Sequence, residues 1–282
     1  MEEKIALLRR IMKSGDPILF TGAGFNIGAS RSEGKPIPLG AELKKFILSK
    51  ILGYEADSDE FSELMKESLT DVCDLCEQHN KARLEDYLTE MFSNCQPAYF
   101  HKIITSYGWQ KIYTTNIDDL LENTYPPEKL IVQNMERPKT IPKQNKLEYI
   151  KLHGCVRNQS QSYVFSKKSY VDSMLQSKDY RFNQFGQDIQ YCNFIFVGTN
   201  YDEIDLDFYL QMYESSASVS GKGNIVFINP NASIVLKRKI DRYRGHLIEW
   251  TTEEFARFLE DNQLIEKEKQ IIPKLDSFYS LN

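Results

Sequence analysis

The sequence predicts an α/β protein built on a doubly wound parallel sheet, with a helical insertion forming a smaller lobe. Three observations carry this. Short apolar runs recur along the 282 residues, most are continuous rather than alternating, and helical periodicity lies between them. A continuous apolar run is what a strand needs when helices cover both of its faces. Strands alternating with helices then suggest βαβ units and a Rossmann-like sheet.

The elements follow in order. An amphipathic N-terminal segment with early acids, "MEEKIALLRRIMKSGD", precedes the first strand-like run, "PILFTG" (17–22). From Gly40 to Gly108 the pattern changes. "AELKKFILSKIL", "FSELMKESL", "RLEDYLTEMF" and "AYFHKIITSY" show apolar spacing of three and four, and no strand intervenes. This is too long for one crossover connection and reads as an insertion. The sheet resumes with "KIYTT" (111–115), "YIKLHG" (149–154), "NFIFVGT" (193–199) and "NIVFINP" (224–230). "HLIEW" (246–250) is expected as an edge strand, and "TTEEFARFLEDN" as a helix capped by threonine. "DDLLE", after the second run, looks like the first turn of a helix. The expected organisation is a binding domain of residues 1–40 and 109–262, an insertion of 41–108, and a tail of 263–282 that is either a terminal helix or the lead into a further domain.

Bulk properties exclude several classes. The net charge is −5, so the chain lacks the surplus of Lys and Arg that non-specific nucleic-acid binding requires. The basic stretch "LKRKIDRYR" (236–244) reads as a solvated helix face. No apolar run approaches the roughly 20 residues that cross a bilayer, and the N-terminus lacks signal-peptide features. A cytoplasmic protein is expected. Cysteines at 73, 76, 95, 155 and 192 are odd in number and form no zinc-ligand set, so no metal is expected. The pair in "CDLC" falls in a helical stretch and reads as buried apolar residues.

The unusual polar and glycine clusters all follow strands: "TGAGFN", "TNID", "HG", "GTNYDE" and "NPN". In an open α/β sheet, ligands bind outside the carboxyl ends of the strands, so these five clusters should line one crevice. Gly22, Ala23 and Gly24 would let backbone approach a phosphate, although the third glycine of a dinucleotide fingerprint is replaced by Ile27. "SRSEGKPIPLG" reads as a mobile loop able to close over a ligand. His153 has an imidazole able to take a proton near neutral pH, whereas His79, His101 and His246 are expected to be structural. Asn116 can hold a water or hydroxyl through its amide, and Asp118 can accept from an amide NH2. Helix capping is an alternative use for one of the two.

"GAG" with a loop to "PIP", then "TNID", "HG", "GTN" and "IN", in this order and at strand ends, resembles the SIR2 (sirtuin) family over roughly residues 15 to 250. The resemblance implies NAD+ as substrate, cleaved at its nicotinamide–ribose bond. It implies that Ala23 and Gly24 face the phosphates and ribose, within a cofactor-binding turn comprising Gly22, Phe25 and Asn26. It assigns the nicotinamide ribose and a nucleophile to Asn116, preceded by Thr115 where the family has glutamine. Asp118 would hold the nicotinamide carboxamide and His153 would be the catalytic base. Gly198, Thr199 and Asn200 stand where the family has G-T-S, and Asn229 stands near the adenosine ribose. The two CxxC pairs that bind zinc in protein deacylases are missing after His153, and "PIPLG" replaces their D-F-R. The pattern is similar to zinc-free SIR2-like domains of bacterial anti-phage defence proteins, which "FSKKSY" and "DLDFYL" also resemble. That branch implies an NAD+ glycohydrolase under a regulatory partner or domain, and a homo-oligomer. A deacylase, an ADP-ribosyltransferase and a non-catalytic sensor of NAD+ or ADP-ribose remain alternatives.

Overall fold

The computed structural model describes residues 1–126, 129–133, 146–158, 163–175, 180–200, 207, 210–211 and 223–264. Among them are seven strands: β1 (Ile18–Thr21), β2 (Lys111–Thr114), β3 (Leu130–Gln133), β4 (Leu147–Lys151), β5 (Phe194–Val197), β6 (Ile225–Ile228) and β7 (His246–Ile248). They form one sheet in the order β3-β4-β2-β1-β5-β6-β7, and every pair is parallel. The doubly wound α/β expectation is met, with "HLIEW" at an edge. The opposite edge, β3, is not anticipated from the sequence. Its apolar run, Leu130 to Val132, is too short to stand out.

Alternate residues of the strands enter two apolar clusters. Leu19, Ile112, Tyr149, Ile195 and Val226 face one side of the sheet. Ile18, Phe20, Tyr113, Ile150, Phe196 and Phe227 face the other. Both faces are therefore dry, which is why the runs in sequence are continuous. On the first face lie α1 (Glu2–Ser14) and α9 (Thr252–Asp261), with Leu8, Ile11, Phe255 and Leu259 buried. On the second lie α7 (Tyr180–Tyr191), with Phe185 and Ile189, and α8 (Ile234–Arg242), with Leu236 and Ile240.

Between β1 and β2 run α2 (Gly40–Phe46), a π turn (Ile47–Ile51), α3 (Asp59–Leu64), α4 (Leu69–Phe92) and α5 (Tyr99–Thr105). No described strand interrupts them. Asn80 breaks α4 with extended backbone, and its side chain accepts from the Arg83 amide to start the helix again. Buried residues of these helices, including Leu43, Val72, Leu84 and Leu88, join the apolar cluster on the first face of the sheet. Cys73 and Cys76 lie in α4, buried in that cluster. Desolvation pushes both thiols up, Cys76 to about 11. A remaining helix, α6 (Lys167–Leu175), follows β4.

One expected element does not form. "DDLLE" is a series of turns rather than a helix. Asp118 Oδ1 accepts the amide of Leu120, and Asp119 accepts the amides of Asn94 and Cys95 from the loop just past α4. Short acidic side chains that capture backbone amides in this way compete with helix propagation.

Candidate active site

The register puts the strand ends level. Thr21 of β1 is opposite Thr114 of β2 and Val197 of β5, Thr114 is opposite Lys151 of β4, and Val197 is opposite Ile228 of β6. The next residues along each chain are Gly22, Thr115, Leu152, Gly198 and Asn229. The five clusters expected to share a crevice therefore leave the sheet at one height. They do so around β1, where connections to β2, β3 and β4 on one side give way to β5, β6 and β7 on the other. This is the switch point at which such sheets bind ligands.

Gly22 leads into a 3-10 turn, Ala23–Asn26. Its glycines meet the loop after β5. A Cβ on Gly22 or Gly24 would lie within 3 Å of the Gly198 carbonyl oxygen, and one on Gly198, at φ +70°, would lie 2.1 Å from the Phe25 nitrogen. The amides of Gly22 and Gly24 donate to Val197 and Gly198 carbonyls, and that of Phe25 to Gly22. The small residues of "GAG" and "GTN" are thus required first for backbone-to-backbone packing of two site loops. Thr199 is buried beside them. Asn229 donates to the Thr199 carbonyl at 3.0 Å and to Asn200 Oδ1 at 2.9 Å, while its own oxygen accepts from Asn231. It braces the β5 and β6 loops against each other.

Phe25 is buried, and its carbonyl is held by His101 of α5 at 2.7 Å. His101 Nδ1 accepts from the Ala98 amide, so Nε2 carries the proton and donates. Burial lowers this imidazole to about 4, which keeps it neutral. His101 is structural, as expected, and the structure that it supports is the site's first turn.

Asn26, Asn116 and Asp118 are joined. Asn26 Nδ2 donates to Asp118 Oδ2 at 2.7 Å. Asn116 Nδ2 donates to the Gly22 carbonyl at 3.0 Å and to Asn26 Oδ1 at 3.2 Å. Asn26 is buried, and Asp118 is 2% exposed. Burial raises the Asp118 carboxyl, while Lys151, Asn26 and the Leu120 amide favour the ionised form. Thr115 is buried next to them, with its amide toward the Thr21 carbonyl. His153 lies in a turn just past β4, buried, its ring edge-on to Tyr170 at 5.1 Å. The adjacent Leu152 amide bonds to Thr114, and that of Val156 to Ile117, so this turn is laced to the Asn116 segment. Gly154, at φ +102°, makes the turn possible.

Beneath these residues is a charged group that motif reading missed. Lys151 is fully buried, donates to Glu122 Oε1 at 2.9 Å and reaches the Asp118 carbonyl. Arg181, also buried, donates to the Lys151 carbonyl. The signal was present: a lysine inside "YIKLHG", in a strand covered on both faces, needs a buried partner. Tyr201, Asp202 and Glu203, most of "DLDFYL" and residues 265–282 fall outside the described residues. Among those described, no group of three or more His, Cys, Asp or Glu could hold a metal ion, and no helix is long and apolar enough to cross a membrane.

Residues 110–265, more than half of the chain, match the family model of the SIR2-like domain. The chain belongs to the SIR2-like domain family. The match begins at β2, so Asn116, Asp118, His153, Gly198 and Asn229 of this SIR2-like domain lie within it, while the β1 turn and the helical insertion precede it. No curated protein matches the chain. SIR2-like domains are typically NAD+-using enzymes, which makes the level strand ends of this one the candidate site for NAD+ chemistry.

Proposed function

We propose that the protein is an NAD+ glycohydrolase that converts NAD+ and water to nicotinamide, ADP-ribose and a proton. The observation that carries this reading is the state of the Asn116 amide. Both of its hydrogens are committed, to Gly22 and to Asn26, so Oδ1 is the group left to meet a ligand. An amide oxygen accepts, and so holds a water or ribose hydroxyl by its proton. The bond from the ribose carbon to the pyridinium nitrogen breaks through an oxocarbenium-like state. Its electron pair neutralises the pyridinium, so nicotinamide leaves without a strong acid. The water oxygen bonds to the ribose carbon and releases its proton to His153 or to solvent. The site's contribution is placement of that water and exclusion of the rest. Ala23 and Gly24 are the residues of the turn assigned to the phosphates, and Asn229 to the far ribose.

The resemblance to zinc-free defence proteins suggests the biological setting: depletion of cellular NAD+ on a trigger delivered by a partner or a further domain, in a homo-oligomer. The test is a time course of nicotinamide release from NAD+ with no acceptor present. Wild type releases nicotinamide and ADP-ribose in equal amounts. Asn116→Ala loses turnover and keeps its fold by circular dichroism. Full activity in both Asn116→Ala and His153→Ala would overturn the assignment.

A further inference from the structure

The amides of the site have only one consistent orientation, and both ends of the chain of bonds set it. The Gly22 carbonyl can only accept, so Asn116 must turn its Nδ2 toward it. Asn116 then offers its second amide hydrogen to Asn26, so Asn26 meets it with Oδ1 and turns its own Nδ2 toward Oδ2 of Asp118, the acceptor at the other end. The other carboxylate oxygen is taken by the Leu120 amide.

We infer that Asp118 and Asn26 are positioning residues: the carboxylate, acting through the Asn26 amide, fixes the Asn116 side chain with its oxygen outward. This rests on the glycohydrolase reading. It differs from a role in which Asp118 meets the nicotinamide carboxamide directly. Asp118 is almost fully enclosed, both its oxygens accept from the protein, and every polar atom of the Asn26 side chain lies between Asp118 and Asn116. Lys151 and Glu122 belong to the support of this device. The lysine reaches the Asp118 carbonyl and pairs with Glu122, holding the backbone from which the carboxylate extends.

The polarity of the bridge makes a reversal experiment possible. In Asp118→Asn the atom facing Leu120 must remain an oxygen, so the new NH2 faces the NH2 of Asn26. Asn26 can relieve the clash only by flipping, which turns its own NH2 toward that of Asn116. The relay therefore predicts a kcat for nicotinamide release lowered about 100-fold, with KM for NAD+ little changed. Adding Asn26→Asp restores the pattern. The new amide donates to the carboxylate at position 26, whose second oxygen accepts from Asn116. The double variant should recover to within about tenfold of wild type. If it stays as inactive as Asp118→Asn while melting at the wild-type temperature, Asp118 acts on the substrate itself and the inference fails. Asn26→Ala, which leaves Asp118 intact, covers the case in which the double variant does not fold. A fall in kcat with KM kept supports the relay, and unchanged kcat overturns it.

A readout without turnover separates this inference from the glycohydrolase reading. The side-chain NH2 signals of Asn26 and Asn116, assigned by their loss in Asn26→Ala and Asn116→Ala, should shift in Asp118→Asn and return in the double variant. Unmoved signals overturn the relay whether or not NAD+ is hydrolysed.

Discussion

Gly198 shows how much a single residue can decide. Its backbone is left-handed, and the space where a side chain would begin is filled by the backbone of Gly24 and Phe25. Gly198→Ala combines a strained backbone with an overlap against atoms that cannot rotate away. A loss on the order of 3 kcal/mol is expected, read as a lower urea midpoint. The damage should reach NAD+ chemistry too, because the displaced loop is the site's first turn. Lys151 is the other such residue. Lys151→Met would strand the Glu122 carboxylate, itself 6% exposed, and should cost about 3–5 kcal/mol by denaturant titration. Replacing Glu122 by Leu together with Lys151→Met should return much of that loss, since a buried pair removed as a unit leaves no uncompensated charge.

At the scale of elements, helices of the insertion are tied to the candidate site. Helix α5 carries His101, whose Nε2 proton holds the Phe25 carbonyl. The α5 helix is in turn packed by α9, whose first turn is closed by a reciprocal pair of bonds between Thr251 and Glu254. The buried imidazole has a consequence for pH. An unfolded chain protonates His101 near pH 6.5, whereas the folded protein does so only at about 4. Between those values the unfolded state binds more protons, so this contribution is complete above about pH 6.5 and is lost as the pH falls toward 4. For a residue with no exposed surface the lost stability is roughly 3 kcal/mol. Urea midpoints measured across that range should fall more steeply for wild type than for His101→Gln, which keeps a donor for Phe25 but does not titrate.

At the scale of the whole molecule, sheet order brings five segments to one candidate site. The central strand β1 contributes the glycine turn, and its neighbours β2 and β5 contribute Asn116 and Gly198 at the same level. A ligand spanning these ends binds only where the loops are assembled, so it should stabilise the fold as a unit. ADP-ribose at about 100 times its Kd should add about 2.7 kcal/mol, seen as a rise in Tm. The rise should appear in Asn116→Ala as well, because that variant would lose water placement and keep the turns proposed to receive phosphate and ribose. No shift in either protein would argue that the crevice is not the nucleotide site.

The sequence by itself determined the two-sided sheet and the run of helices between β1 and β2, and it marked the strand ends as the candidate site. Continuous apolar runs such as "NFIFVGT" and residues such as Asn116 and His153 carry local signals, set by which side chains can be buried and which cannot. Edge strand β3 was not legible because three apolar residues make no pattern. "DDLLE" was misread because its helical spacing is overridden by amides of Asn94, Cys95 and Leu120, one of them local and two distant in the chain. Only the tertiary structure decided what the polar residues do. It showed that Gly24 and Gly198 press on each other, that Lys151 and Glu122 neutralise each other under the site, and that Asp118 reaches Asn116 through Asn26. The physical reason is that burial is written in each segment's own composition. A hydrogen bond's direction depends on its partner, as Asn116 depends on Asn26 ninety residues away, and no single segment records it.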